Sequence, residues 1–351
     1  MKLLARGDAA DRDAFDAVFA KVPERVRVDA ADRLGLPPAA LWLRLLQFLP
    51  PGAAEFWLLE NTKGEVVGRV GATLTRAEPG AGYIGFFELG LGADVPASAK
   101  MLLGAAEDWL AERGVKQAIG PMVVNTWFPY RYRVGAVERR YAWEPVHPAT
   151  YPELWRACGY SEYEAYRSDA TRDLAAMRDR LAPSLRAVEA EGFTLRDFSA
   201  DRLEDRDLPA LYRLSMEVFK SAHLFEPLPY EVFRELYVPL VTKIDLSLSH
   251  FLVAPDGTEA GFLFSFLDRD PISDEIALVM KSIALADRFR GGGRSNALVC
   301  GAMQKALARG ATLSISALIR VGNHSAAYTR ETRFAFSHEY MLFMRCLAPI
   351  A

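Results

Sequence analysis

Ser282-Ile283-Ala284-Leu285-Ala286-Asp287-Arg288-Phe289-Arg290-Gly291-Gly292-Gly293-Arg294-Ser295 closes an apolar run, passes through three glycines and opens a long helical pattern. That order implies a strand, a tight turn and a helix N-terminus. Consecutive backbone N–H groups at such a junction suit a phosphate, because they have no partner within the helix and the helix end carries partial positive charge. Small residues let an anion approach the backbone closely.

Outward from this turn the pattern is regular. Residues 294–309 read as a helix stopped by Gly310, 311–319 as a strand, 323–332 as a short helix and 338–346 as a last strand. Upstream lie a strand at 275–285 and a hairpin of strands 250–254 and 259–267 around Pro255-Asp256-Gly257. Helices are expected at 203–220 and 230–237. The first half repeats the order. It has a short helix at 39–49, a hairpin of 55–60 and 65–75, a strand at 83–89 and a helix at 98–113 stopped by Gly114. A strand at 115–124, a helix at 151–158 and a strand at 161–169 follow. Arg113-Gly114 and Arg309-Gly310 mark matching points. The repeat is one of order rather than identity, and it implies two copies of one α/β (α+β) fold. The expected division is 1–170, a charged linking helix at 171–192, and 193–351.

Composition sets limits. The chain has 351 residues, 51% hydrophobic and 25% charged, with net charge −3. There is no global basic field of the kind nucleic acid binding favours. Cys158, Cys300 and Cys346 are far apart and form no C-x-x-C pair, so a reducing cytoplasm is the expected compartment. The five histidines show no metal-ligand spacing, so no metal is expected. The N-terminus turns polar too soon for a signal peptide. The apolar stretch 34–59 is broken by Pro37-Pro38 and Pro50-Pro51, so no membrane span is expected.

The order of elements and the glycine turn together resemble the GNAT acyltransferase superfamily. Its signature is Gln or Arg, two residues, Gly, one residue, then Gly or Ala. Residues 288–293 match literally. The register 290–295 ends in Ser instead, but it places Leu285 at the apolar strand end and Leu298-Val299 in the following helix, and it is preferred. The resemblance implies two tandem GNAT-like domains, each a mixed, mostly antiparallel sheet flanked by helices, and acetyl-CoA or another acyl-CoA as co-substrate. It implies that Ile283 and Leu285 pair with the pantetheine arm. Arg290, Gly291, Gly292, Gly293, Arg294 and Ser295 would hold the pyrophosphate, and Asn323 and Ser325 would touch the pantetheine region. In many members a Tyr two turns into the short helix protonates the thiolate. Counting from Asn323, that position is Arg330 here, and Tyr328 is the candidate acid. Glu275 is the candidate base, with Asp268, His250 and His223 as alternatives.

The first copy lacks the turn. After Gly90 and Gly92 come Asp94, which would repel phosphate, and Pro96, which has no N–H. Acyl-CoA is therefore expected only in the second copy. The cluster of arginines and aromatics from Trp127 to Trp143 has three readings: part of an acceptor site, interdomain packing with solvated arginines, or a grip on single-stranded RNA. The function implied is N-acyl transfer to a small-molecule amine by direct attack in a ternary complex. A non-catalytic acyl-CoA-binding module and an aminoacyl-tRNA-dependent transferase are the alternatives. A monomer is expected, since an internal tandem would bury the face on which single GNAT domains pair.

Overall fold

A computed structural model describes residues 1–26, 49–90, 94–322 and 333–348. The short helices expected at 39–49 and 323–332, and with the latter Asn323, Ser325 and Tyr328, fall outside the described residues or almost wholly so.

Among the described residues one thirteen-stranded sheet runs through the molecule. In the first half the elements are β1 (Lys2–Ala5), α1 (Arg12–Val26), β2 (Ala54–Glu60), β3 (Val66–Leu74), β4 (Ala81–Leu89), α2 (Val95–Ala111), β5 (Gln117–Gly120), β6 (Tyr132–Val134), α3 (Tyr151–Ala157) and β7 (Ser161–Thr171). In the second they are α4 (Leu174–Ala190), β8 (Thr194–Asp197), α5 (Leu208–Phe219), α6 (Tyr230–Val241), β9 (His250–Val253), β10 (Glu259–Arg269), β11 (Ile276–Leu285), α7 (Arg294–Ala308), β12 (Leu313–Arg320) and β13 (Phe336–Cys346). The strand order is β1-β2-β3-β4-β5-β13-β7-β12-β11-β10-β9-β8, with β6 on β13. Among the described residues only β4–β5 and β11–β12 pair in parallel.

The middle of that order holds the two halves together. β13 lies between β5 and β7, and β7 lies between β13 and β12. Each half therefore inserts its last strand into the other. The seam is the long antiparallel pairing of β7 with β13, from Ala170 opposite Phe336 to Ser161 opposite Met344.

Helices cover the sheet by burying single faces. α4 turns Leu174, Met177, Leu181, Leu185 and Val188 inward at helical spacing, and these pack with Leu298, Cys300 and Met303 of α7 in one core. Each fully buried Leu in such a core contributes about 2 kcal/mol from the apolar area it removes from water. In the first half, Leu102, Leu103, Ala106, Trp109 and Leu110 of α2 pack on β3 and β4. β4 is buried along all nine residues, as a strand with both faces covered must be.

The strand expected at 115–124 is shorter, because Pro121 has no N–H with which to continue the regular pairing. β1 and β8, four residues each, were not expected. Among the described residues no helix is long and apolar enough to cross a membrane.

Candidate active site

The turn that opened the sequence lies where β11 meets α7. Asp287–Phe289 form a single helical turn, Arg290 is extended, and α7 begins at Arg294. Gly291, Gly292 and Gly293 all have positive φ, at +85°, +60° and +73°. A run of three such residues would cost any other residue type about 1–2 kcal/mol each. Their N–H groups donate to nothing else among the described residues. Three unpaired donors at a helix N-terminus form a cradle for an anion. Arg290, Gly291 and Ser295 line the adjoining cleft. Arg294 is instead held by Glu191 at 2.5 Å and lies over Phe193, while Arg290 pairs with Asp287 at 2.9 Å.

The cleft opens because two parallel strands part. β11 and β12 pair from Ala277–Leu313 to Met280–Ser316 and no further. Beyond that point residues 281–285 and 317–320 line one part of a cleft of about 1720 Å³. Ile283 and Leu285 lie here, on a strand edge with no ladder partner, which is where an amide-bearing arm can be added as a strand. Each flanking strand is irregular at the apex. On β11 the register against β10 passes from Ser282 to Met280, leaving Lys281 as the extra residue of a bulge. On β12, Leu318 has φ +58°, its N–H donates to the Ser168 hydroxyl at 2.9 Å, and its carbonyl accepts from Arg131 at 3.2 Å. Bulges re-aim side chains and end pairing.

The first half narrows the corresponding gap, although Phe86, Phe87, Glu88, Pro121 and Val123 there still line the same cleft. Past Ile119 the chain stays on β4: the Met122 N–H donates to the Ile84 carbonyl at 2.8 Å, and a Cβ on Gly85 would meet the Met122 carbonyl at 2.3 Å. The helix N-terminus is also filled, since the Asp94 carboxylate caps α2 by accepting from the Ala97 N–H at 3.4 Å. The protein's own carboxylate sits where the second half has an open cradle.

The opposite side of the cleft is formed by both halves. Ser221, Ala222, His223 and Phe225 between α5 and α6 line it, as do Trp127, Phe128, Tyr130 and Arg131. The Trp127 ring stands edge-on to Phe219, Phe225 and Phe233, and its Nε1–H donates to the Glu226 carbonyl at 2.7 Å. The arginine and aromatic cluster thus divides. Arg139 is bound in ion pairs and Arg133 faces Glu144 at 3.6 Å, whereas Trp143 packs on Phe264 and Phe266 and also lines the cleft. Trp127, Tyr130 and Arg131 face the cleft.

The base candidates separate by place. Glu275 precedes β11, whose ten residues span roughly 33 Å at 3.3 Å each, and the glycine turn lies at the other end. Its carboxylate is held by Arg172 at 3.1 Å and stands 3.8 Å from Arg139. The expectation that Glu275 is the base is therefore corrected, because it does not reach the cleft and its charge is already compensated. Asp268 is likewise bound to Arg139 at 3.1 Å. His250 is fully buried; its Nε2–H donates to the Leu298 carbonyl at 2.9 Å, and burial pushes its pKa down to about 4. His223 alone of these lines the cleft. Its Nε2 is 3.5 Å from Glu164, and burial, then the charge of Arg320, holds its pKa below the usual 6.5.

No family model matches the chain, and no curated protein matches its sequence. Solved structures do match in fold. A tandem GNAT protein from the clavulanic acid biosynthesis pathway superposes with TM-score 0.52 at 15% identity, covering 100% of both chains. Eis1 from Mycobacterium abscessus gives 0.55 at 14% identity over 99% of this chain and 74% of its own. A GCN5-related N-acetyltransferase from Anabaena variabilis gives 0.55 at 10% identity, over 99% and 73%. The fold is that of a tandem GNAT protein.

Proposed function

We propose that this chain transfers an acyl group from coenzyme A to an amine of a small molecule, with one acyl-CoA site, in the second half. The observation that carries this is a single cleft holding both an unfilled N–H cradle at the start of α7 and an unpaired strand edge beyond Met280. When bound, the coenzyme supplies a thioester carbonyl open to attack by an amine. The N–H groups of Gly291 to Gly293 and the Ser295 hydroxyl hold the anionic end, where the helix terminus adds about 0.3–1 kcal/mol per charge. The backbone of residues 281–285 orients the arm by main-chain hydrogen bonds. His223, neutral at pH 7, takes the proton that the attacking amine sheds. Tyr328 stays the proposed proton donor to the thiolate and Asn323 and Ser325 proposed contacts, on the resemblance alone. The pairing of β5, β7, β12 and β13 within one copy supports a monomer.

Gly291→Asp tests the assignment. A Cβ there meets nothing within 4 Å, so the variant folds with only local backbone strain while placing a carboxylate in the cradle. Titration calorimetry with acetyl-CoA should show binding by the wild type and a loss of about tenfold or more, worth about 1.4 kcal/mol, in the variant. No binding by the wild type, or equal binding by both, overturns the reading. Binding with no thiol release across a broad amine panel would favour a non-catalytic acyl-CoA module.

A further inference from the structure

The charges that line the cleft do not cancel. Glu88 lies 3.9 Å from Arg69. Glu144 accepts from the Tyr340 hydroxyl and from His338, each at 2.8 Å. Arg320 is bound by Glu164 at 2.7 Å. Two cations are left over at the apex of the parting strands. Lys281, partly buried on its bulge, makes no hydrogen bond or ion pair among the described residues. Arg131 is 6% exposed and has no carboxylate partner among them; its Nε–H is buried and donates to nothing.

Arg131 is also fixed in place. Its guanidinium lies 3.8 Å from the Tyr130 ring centroid and 4.2 Å from that of Tyr166, and one NH group is tied to the Leu318 carbonyl. The aromatic faces and one carbonyl hold the group but do not neutralise it. Lys281 feels the cost: burial, then the Arg131 charge, pushes its pKa down to about 8. Two like charges facing one cleft are stabilised by an anion that binds both. The Arg131 guanidinium and the Lys281 ammonium both line the cleft, and each can make a charge-assisted bond to a carboxylate.

We propose that Arg131 and Lys281 form a carboxylate subsite, so that the acceptor is an amine that also bears a carboxylate, with its apolar body against the Trp127 wall. The subsite draws one residue from each half, which gives the first half a part in recognition. The term acceptor rests on the transferase reading above; the anion site itself does not.

The test is protection of Lys281 from N-acetoxysuccinimide, a neutral amine-acylating reagent, read by peptide mass spectrometry on the full chain. Phenylacetate should slow labelling of Lys281 by about fivefold or more, while neutral phenylacetamide, of the same shape, should slow it less than about twofold. Arg131→Met should label at a rate that phenylacetate does not change. Equal protection by both compounds, no protection by phenylacetate, or undiminished protection in Arg131→Met overturns the proposal. Wild-type labelling needs no variant to fold, and circular dichroism checks the variant. Calorimetry with acetyl-CoA in the same preparation separates the two readings. Protection without acetyl-CoA binding keeps the anion site and removes the transferase, and the reverse result keeps the transferase alone.

Discussion

His223 and His250 have similar neighbours in sequence, Ser-Ala before Leu-Phe in one case and Leu-Ser before Phe-Leu in the other. Tertiary burial alone separates them. His250 is enclosed beside α7 and engaged with a carbonyl, whereas His223 stands at the cleft with Glu164 and Arg320. The sign of the pH effect follows. A histidine whose pKa is held below 6.5 is neutral above that pH and loses its capacity to accept a proton as pH falls through its pKa. The kcat/KM profile should therefore rise along an acid limb with its midpoint below 6.5. His223→Gln should lower kcat by about 10²–10⁴ and remove that limb. A limb that persists in the variant would assign the base elsewhere.

Between residue and fold, elements differ in how far their own sequence determines them. The Arg290–Ser295 turn was legible because every cause is local: three adjacent glycines, an apolar strand before and an amphipathic helix after. The parting of β11 from β12 was not, since it depends on a bulge at Lys281 and on the pairing of β12 with β7. Glu275 shows the same limit. Its position at a strand end suggested a catalytic carboxylate, and only the fold reveals Arg139, from the loop after β6, reaching it. Arg139 donates to the Asp268 and Glu275 carbonyls at 3.0 Å each and sits among Asp268, Asp270 and Glu275. This arginine clamps the base of the β10–β11 pair. Arg139→Met leaves those carboxylates without it in a buried setting, which should cost about 3–5 kcal/mol in urea unfolding. A loss under about 1 kcal/mol would mean that water already screens the cluster.

Across the whole molecule, the doubled order of elements was visible in the sequence but the exchange of β7 and β13 was not. An alternating strand looks the same whichever neighbour it meets, and nothing local records a partner this distant. The exchange predicts that neither 1–170 nor 171–351 folds alone, since each lacks the strand that fills its own sheet; expressed together they should form a soluble complex. A cooperative thermal transition from either fragment by itself would refute this. The arrangement also imposes an order on synthesis. Gly120 pairs with Phe343, so the ribosome must add more than two hundred residues before β5 meets its neighbour. At roughly 5–20 residues per second that is an interval of roughly 10–45 s. Through it the nascent chain carries β5 and β7 as open edges, the form in which strands pair with the wrong chain. Translation speed and chaperone supply should thus govern the yield of this protein more than the stability of its finished fold.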